Sequence, residues 1–97
     1  MALKIIWTAQ AEKGLADVLL FLDENWTATE ILNLKQNIIT LLGRISQYPK
    51  ICPPTGRYNN LHKGLVDKNN YIIYRVQTKK GLIEVINFRS TRQKPLT

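Results

Sequence analysis

The sequence predicts an α+β domain in which two helices pack on one face of a small antiparallel sheet. Three observations support this prediction: a short β-branched segment comes first, two amphipathic helical patterns follow it, and the second half carries alternating apolar segments separated by turn residues. The chain of 97 residues has the length of one domain, so we expect a single unit over residues 1–97. The expected order of elements is β-α-α-β-β-β.

The first strand and first helix are predicted from the N-terminal quarter of the chain. The segment from Leu3 to Trp7 is rich in β-branched and aromatic residues, which favour a strand. Thr8 follows it and is a typical N-cap residue. Apolar residues then recur at helical spacing, which predicts a helix that ends near Asn25. They are Ala11, Leu15, Val18, Leu19 and Leu22.

A second helix is predicted from about Ala28 to Gln47. Thr27 followed by Glu30 has the form of a capping box, which marks the start of a helix. The apolar face of this helix consists of Ile31, Leu34, Ile38, Leu41, Leu42 and Ile45. So short a link between two helices predicts an αα-hairpin, with Trp26 at its tip as a candidate contact for a partner.

The second half of the chain predicts a loop and three strands. Prolines and a glycine indicate a loop at residues 49–56, and Arg57 to Val66 is expected to form the next strand. Tyr71 to Val76 and Leu82 to Phe88 flank a turn at residues 78–81, which predicts a β-hairpin. Strict alternation would place Phe88 on the same face as Glu84. The helices can cover only one face of the sheet, and the alternation does not decide which one.

Positive charge is concentrated in the second half. Residues 1–48 contain four cations and five anions, a net charge of −1, whereas residues 49–97 contain ten cations and two anions, a net charge of +8. A basic surface on a nearly neutral support is typical of proteins that bind a polyanion or an acidic protein. The alternative is that lysine-rich turns serve solubility, which by itself does not explain the asymmetry.

Several functional classes are not expected. Cys52 is the only cysteine, which excludes an intramolecular disulfide and a cysteine-based metal cage. No apolar segment approaches the roughly 20 residues of a membrane span, and the N-terminus lacks the pattern of a secretory signal. We therefore expect a cytoplasmic protein that uses no cofactor or metal.

Four segments together resemble the RelE/ParE superfamily, the toxins of bacterial type II toxin-antitoxin systems. These segments are IIWTAQAEKGLADVLLFL, LLGRISQYP, LHKGLVDKNNYIIYRV and IEVINFRSTRQKP, and they cover nearly the whole chain. The resemblance implies a small basic toxin that arrests growth. It also implies a cognate acidic antitoxin that neutralises the toxin by covering its surface.

The superfamily divides by target. RelE-like members are ribosome-dependent mRNA endonucleases that need no metal, whereas ParE-like members inhibit DNA gyrase. The resemblance favours the ParE-like side because Tyr71 stands where the ribonucleases have an arginine, and Asn87 and Phe88 stand where many members have a histidine. We also expect no C-terminal helix of the kind that supplies a catalytic tyrosine in RelE-like enzymes. A ribonuclease and a non-toxic basic nucleic-acid-binding domain remain as alternatives.

Candidate site residues follow from the resemblance and from the requirements of each function. Ribonuclease chemistry needs a base, cations for the phosphate and a proton donor. The candidates are Lys63 or His62 as base, Arg75, Arg89 and Arg92 as cations, and Tyr71 or Tyr74 as donor. The candidates for binding a partner protein are Arg75, Arg89, Arg92 and Trp26. The alternative is structural: tyrosines that pack in the sheet, and Glu84 paired with Arg75 across the hairpin.

Overall fold

A computed structural model of the chain describes residues 2–25, 27–56 and 60–90. The elements are β1 (Lys4–Trp7), α1 (Ala9–Asn25), α2 (Ala28–Gln47), β2 (Leu61–Leu65), β3 (Asn70–Gln77), a 3₁₀ turn (Thr78–Lys80) and β4 (Leu82–Ser90). The predicted order of helices and strands is confirmed. The predicted α+β class, with two helices packed on one face of the sheet, is confirmed as well.

Threonine side chains cap both helices. The Oγ1 of Thr8 accepts a hydrogen bond from the N–H of Ala11 at 3.2 Å, and the Oγ1 of Thr27 accepts one from the N–H of Glu30 at 3.4 Å. Each bond satisfies a donor in the first turn that has no partner within the helix. The Thr8 hydroxyl also donates to β4, with the carbonyl oxygens of Val85 and Ile86 at 2.9 and 3.1 Å. Thr8 therefore fixes the start of α1 against the sheet.

The sheet is mixed, whereas a purely antiparallel sheet was expected. The strand order is β1-β4-β3-β2, with β1 parallel to β4 and the other two pairs antiparallel. Lys4 lies opposite Leu82 and Trp7 lies opposite Val85. Parallel pairing needs a long crossover connection, and the segment between β1 and β4 provides one. The direction of β1 therefore depends on its distant partner and not on its own residues.

The outer edge of β2 is covered by the loop that precedes it. The N–H of Thr55 donates to the carbonyl of Leu61 at 2.9 Å, and the N–H of Lys63 donates to the carbonyl of Pro53 at 3.0 Å. This pairing satisfies backbone groups that would otherwise offer an edge to another strand. The strand expected over residues 57–66 is shorter in the structure, and residues 57–59 lie outside the described part of the chain.

A β-bulge in β4 decides which side chains face the helices. Tyr74 pairs with Val85 and Ile73 pairs with Asn87, so Ile86 has no partner on β3. One extra residue reverses the alternation from that point onward. Phe88 is therefore buried on the same side as Val85, and the expectation that it shares a face with Glu84 is wrong.

The hydrophobic core lies between the two helices and one face of the sheet. Its buried residues are Ala11, Val18, Leu22, Leu34, Ile38, Ile45, Ile72, Tyr74, Val76, Ile83, Val85 and Phe88. The helix α1 approaches β4 so closely that a Cβ atom on Gly14 would lie 2.2 Å from the carbonyl oxygen of Phe88. Glycine at this position permits the close contact between helix and sheet.

Candidate functional site

The face of the sheet opposite the helices carries a mixed set of polar and apolar side chains. We call it the open face, and it consists of Lys4, Ile6, Leu61, Lys63, Leu65, Tyr71, Ile73, Arg75, Gln77, Leu82, Glu84, Asn87 and Arg89. Four of these residues are cations and one is an anion. The structure therefore assigns the face that the sequence left undecided, and this face is basic.

Three of the predicted site residues lie together at one end of the open face. The Nζ of Lys63 lies 4.3 Å from the centroid of the Tyr71 ring, which is cation–π geometry. Arg89 is directly opposite Tyr71 in the pairing of β3 with β4. We call these three residues the Lys63 cluster. An ammonium, a guanidinium and a phenol hydroxyl all donate hydrogen bonds, so the cluster has the chemistry to bind a phosphate or a carboxylate.

Arg75 lies at the other end of the open face. Along β3 it is four residues from Tyr71, a distance of about 13 Å at strand spacing. Glu84 is opposite Arg75 in the register. Its Oε1 accepts a hydrogen bond from the Nε2 of Gln77, and no ion pair with Arg75 occurs among the described residues. Glu84 thus lies opposite Arg75 in the sheet as expected, but the expected ion pair between them is not formed, and the hydrogen bond to the carboxylate comes from the amide at the neighbouring outward position of β3.

His62 lies on the opposite side of the sheet, under the helices. Its side chain is only 5% exposed, and its Nδ1 lies 2.8 Å from the carbonyl oxygen of Cys52. Neighbouring residues in a strand face opposite sides, so His62 and Lys63 cannot both meet the same substrate. The structure thus does not bring His62 together with the cations, and its interpretation as a catalytic base is not supported. The adjacent positions of His62 and Lys63 in a predicted strand already indicated that their side chains face opposite sides of the sheet.

Tyr74 is also buried beneath the helices. Its hydroxyl donates a hydrogen bond to the carbonyl oxygen of Pro49 at 2.8 Å, and its ring stacks on His62 with centroids 5.2 Å apart. Burial, together with the neighbouring Cys52, raises the pKa of the Tyr74 phenol well above its usual value. Tyr74 therefore anchors the loop after α2 to the core, and it does not reach the open face.

Two predicted contact residues, Trp26 and Arg92, lie outside the described residues. Among residues 2–25, 27–56 and 60–90, no three side chains of histidine, cysteine, aspartate or glutamate are grouped so as to hold a metal ion. No helix in this part of the chain has the length and apolar character needed to cross a membrane.

The helices carry exposed apolar residues that the sequence analysis did not single out as contacts. Leu32 is 65% exposed and Ile39 is 64% exposed, and both project from α2. They are seven residues apart, which places them on one side of the helix, away from the core face. Leu20 of α1 is 61% exposed. The seven-residue spacing of Leu32 and Ile39 in the sequence already indicated that the two side chains share one side of α2.

Comparison with known proteins identifies the family. The model of the ParE toxin of the type II toxin-antitoxin system parDE matches residues 5–95, almost the full length of the chain. The chain belongs to the ParE toxin family. Membership in this family confirms the resemblance to the RelE/ParE superfamily and makes the protein a toxin of a type II toxin-antitoxin system. None of the curated protein sequences matches this toxin significantly.

Solved structures with the same fold come from several toxin-antitoxin systems. The chromosomal ParDE system of P. aeruginosa matches with a TM-score of 0.73 and 13% identity, over 94% of this toxin and 98% of that chain. The RelBE2 complex of Mycobacterium tuberculosis matches with a TM-score of 0.67 and 13% identity, over 93% and 99%. The isolated E. coli RelE toxin matches with a TM-score of 0.60 and 17% identity, over 96% and 88%. At these identities the similarity establishes the fold of the ParE-family toxin and not its target.

Proposed function

We propose that this toxin arrests bacterial growth by binding and inhibiting DNA gyrase. The observation that carries the proposal is the match of the ParE toxin model to residues 5–95, because ParE-like members are expected to inhibit gyrase. The burial of two ribonuclease candidates, His62 and Tyr74, under the helices is consistent with this choice. Inhibition by binding needs a complementary surface, and we propose the open face for that role.

We further propose that a cognate acidic antitoxin neutralises the toxin by covering the open face. The four cations of this face favour association with carboxylates, and its apolar residues provide area that a partner can bury. Leu65 is 65% exposed and Ile6 is 36% exposed on this face. Binding to the folded toxin alone would raise its thermal stability, by about 2.7 kcal/mol at a hundredfold excess over Kd. A melting temperature that does not change with the antitoxin present would contradict this part of the proposal.

A second candidate function is mRNA cleavage on the ribosome, and the Lys63 cluster is the observation that favours it. Lys63 and Tyr71 are in contact on the open face, and Arg89 is opposite Tyr71 in register. The reaction needs a base, a cation and a proton donor. Lys63 would accept the 2′-OH proton, Arg89 would stabilise the phosphate, and Tyr71 would donate a proton to the leaving oxygen. This chemistry needs no metal.

Two assays on the purified toxin separate the candidates. The first follows supercoiling of relaxed plasmid by bacterial gyrase, and the second maps mRNA ends in a cell-free translation reaction. The test variant is Arg89→Gln, and the matched control is Lys13→Gln on the exposed side of α1, which removes the same charge from the opposite layer. We expect wild type to inhibit supercoiling without cleaving mRNA, and Arg89→Gln to be about tenfold weaker, the loss of roughly 1.4 kcal/mol.

Two outcomes decide between the candidates. The gyrase proposal is supported if the wild-type toxin inhibits supercoiling and leaves mRNA intact. In that case Arg89→Gln should weaken the inhibition, whereas Lys13→Gln should not. Codon-phased mRNA cleavage with normal supercoiling refutes it and identifies the toxin as a ribonuclease. In that case Lys63→Gln should abolish cleavage, because the lysine is the remaining candidate base on the open face.

A further inference from the structure

The solvent-facing side of the two helices has no role in the function proposed above. Leu20 of α1 and Leu32 and Ile39 of α2 are all more than half exposed there. Leu20 stands two residues from Val18 and from Leu22, which are both buried, so helix geometry turns it about 160–200° away from the core. We call this side the outer helix face. It consists of Glu12, Lys13, Asp17, Leu20, Asp23 and Glu24 of α1 and of Glu30, Leu32, Lys35, Ile39 and Arg44 of α2, all of them exposed.

The three exposed apolar side chains form one patch. Leu32 and Ile39 are two turns apart on the same side of α2, a distance of about 10 Å. Only residues 26 and 27 join the helices, so α1 and α2 run in opposite directions. Leu20 is six residues before position 26 and Leu32 is six residues after it, which places the two at about the same level. A contiguous exposed apolar patch is typical of an interaction surface.

The charges on the outer helix face argue against the partners considered for the open face. α1 carries four anions and one cation, a net charge of −3, whereas α2 carries one anion and two cations, a net charge of +1. The two helices together have a net charge of −2, opposite in sign to the open face. This surface would repel an acidic antitoxin or a nucleic acid. A second copy of the toxin fits better, because each helix can meet a helix of opposite net charge on it.

The opposite signs of the two helices also select one arrangement of the two copies. In a two-fold dimer the same surface is used twice. An axis across the helices would place α1 on α1, with like charges opposed, whereas an axis along the helices places α1 of each copy on α2 of the other. Leu20 would then contact Leu32 of the second copy. Asp17 would lie level with Lys35 of the second copy, because both are nine residues from position 26. Asp17 contacts Lys13 on its own helix at 3.7 Å, but its side chain remains 51% exposed.

We propose that the toxin forms a two-fold dimer through the outer helix face, with α1 of each copy packed on α2 of the other. The apolar patch supplies the buried area, and the charges select the arrangement. The patch is small compared with the roughly 1,200 Å² or more that stable complexes bury, so the dimer is reversible and its population depends on concentration. The open faces lie on the far sides of the two sheets and stay free. The dimer therefore does not depend on which target the toxin inhibits, and it presents two open faces at once.

Sedimentation velocity of the full-length toxin between about 1 and 100 μM tests the dimer. The test variant is Leu32→Gln, and the matched control is Leu65→Gln, because both leucines are 65% exposed but Leu65 lies on the open face. A substitution counts twice in a two-fold dimer, so we expect Leu32→Gln to weaken association at least about tenfold. Leu65→Gln should leave association unchanged. Thermal melting at low concentration checks that each variant is folded.

A charge exchange tests the arrangement of the helices. Lys35→Glu places a carboxylate opposite Asp17 of the second copy and should weaken association about threefold, as expected for exposed ion pairs that count twice. Asp17→Lys/Lys35→Glu restores opposite charges and should return the association constant to near the wild-type value. A double variant that associates as weakly as Lys35→Glu would refute the packing of α1 on α2.

Other results would overturn the dimer itself. One is a wild-type toxin that stays monomeric over the whole concentration range, and another is equal weakening by Leu32→Gln and Leu65→Gln. A third is a species larger than a dimer that Arg89→Gln dissolves, because an outer helix face bound to the open face of the next copy does not close. Dissociation of the dimer by a short polyglutamate peptide would assign the outer helix face to an acidic partner instead.

Discussion

The close approach of α1 to β4 at Gly14 gives a sharp prediction about stability. In an isolated helix, replacing an interior glycine by alanine is favourable by about 1 kcal/mol, because alanine loses less backbone entropy. Gly14 and Gly43 both lie inside helices, so helix propensity alone predicts that Gly14→Ala and Gly43→Ala are equally stabilising. The structure predicts opposite outcomes.

The difference comes from what each new methyl group would meet. A Cβ at Gly14 would lie 2.2 Å from the carbonyl oxygen of Phe88 and 3.2 Å from its carbonyl carbon, whereas a Cβ at Gly43 would have no neighbour within 4 Å. Relief of the first contact requires α1 and β4 to separate by about 1 Å, and overpacking of this kind costs about 1–3 kcal/mol or more. The obstacle is backbone in an interior strand, so we expect the upper end of that range. The net effect of Gly14→Ala is then a destabilisation of about 2 kcal/mol.

Thermal melting followed by circular dichroism measures both changes. For a domain of this size 1 kcal/mol corresponds to about 4–8 °C, so Gly14→Ala should lower Tm by about 8–16 °C and Gly43→Ala should raise it by about 4–8 °C. Urea denaturation of the same pair gives the free energies directly. Equal stabilisation in the two variants would refute the close packing of α1 against β4 and, with it, the placement of the bulge that brings Phe88 under the helix.

Two further predictions concern single hydrogen-bonding side chains. Thr8→Ala removes both the acceptor that caps α1 and the donor to β4, so it should cost about 1–2 kcal/mol in urea denaturation. Thr8→Ser keeps the hydroxyl and should retain most of that stability; equal losses would argue against the cap. Tyr74→Phe removes the bond to Pro49 and should cost about 1 kcal/mol at neutral pH. Folding raises the pKa of Tyr74 above its unfolded value of about 10, so the stability that the protonated phenol contributes is complete below pH 10. Above pH 10 that stability is lost at about 1.4 kcal/mol per pH unit. Wild type should therefore lose stability more steeply than Tyr74→Phe from pH 10 upward, and parallel curves would contradict the raised pKa.

Local signals were sufficient to predict the helices and the hairpin. The capping box at Thr27 and the apolar periodicity after it gave α2 its bounds of Ala28–Gln47 without error. The turn before Gly81 was equally clear, because glycine accommodates the positive φ of 66° found there. In each case the information lies within a few neighbouring residues.

The features that could not be predicted depend on residues distant in the chain. Nothing within four residues of β1 indicates that it runs parallel to β4, and no residue type marks Ile86 as the extra residue of a bulge. Because that bulge reverses the alternation, the covered face of β4 was predictable only up to Val85. The partner of Glu84 was missed for a related reason: Gln77 and Arg75 both lie on the open face next to it, and only the three-dimensional arrangement decides between them.

For the candidate site, the resemblance to a known family supplied residues and the structure supplied their grouping. Lys63, Tyr71 and Arg89 come from three different strands and meet at one end of the open face. His62 is separated from them by the pleat of β2, a consequence that follows from its position beside Lys63.

The position of β4 also has a consequence for how the toxin matures on the ribosome. β4 is the last of the four strands to be synthesised, yet it is the strand to which β1, β3 and α1 all attach. A nascent chain that has not yet released β4 can form the helices and pair β2 with β3, but β1 cannot join the sheet, because its only strand partner among the described residues is β4, nearly eighty residues away. The complete open face therefore requires β4. We therefore expect a product truncated before β4 to lack the assembled open face.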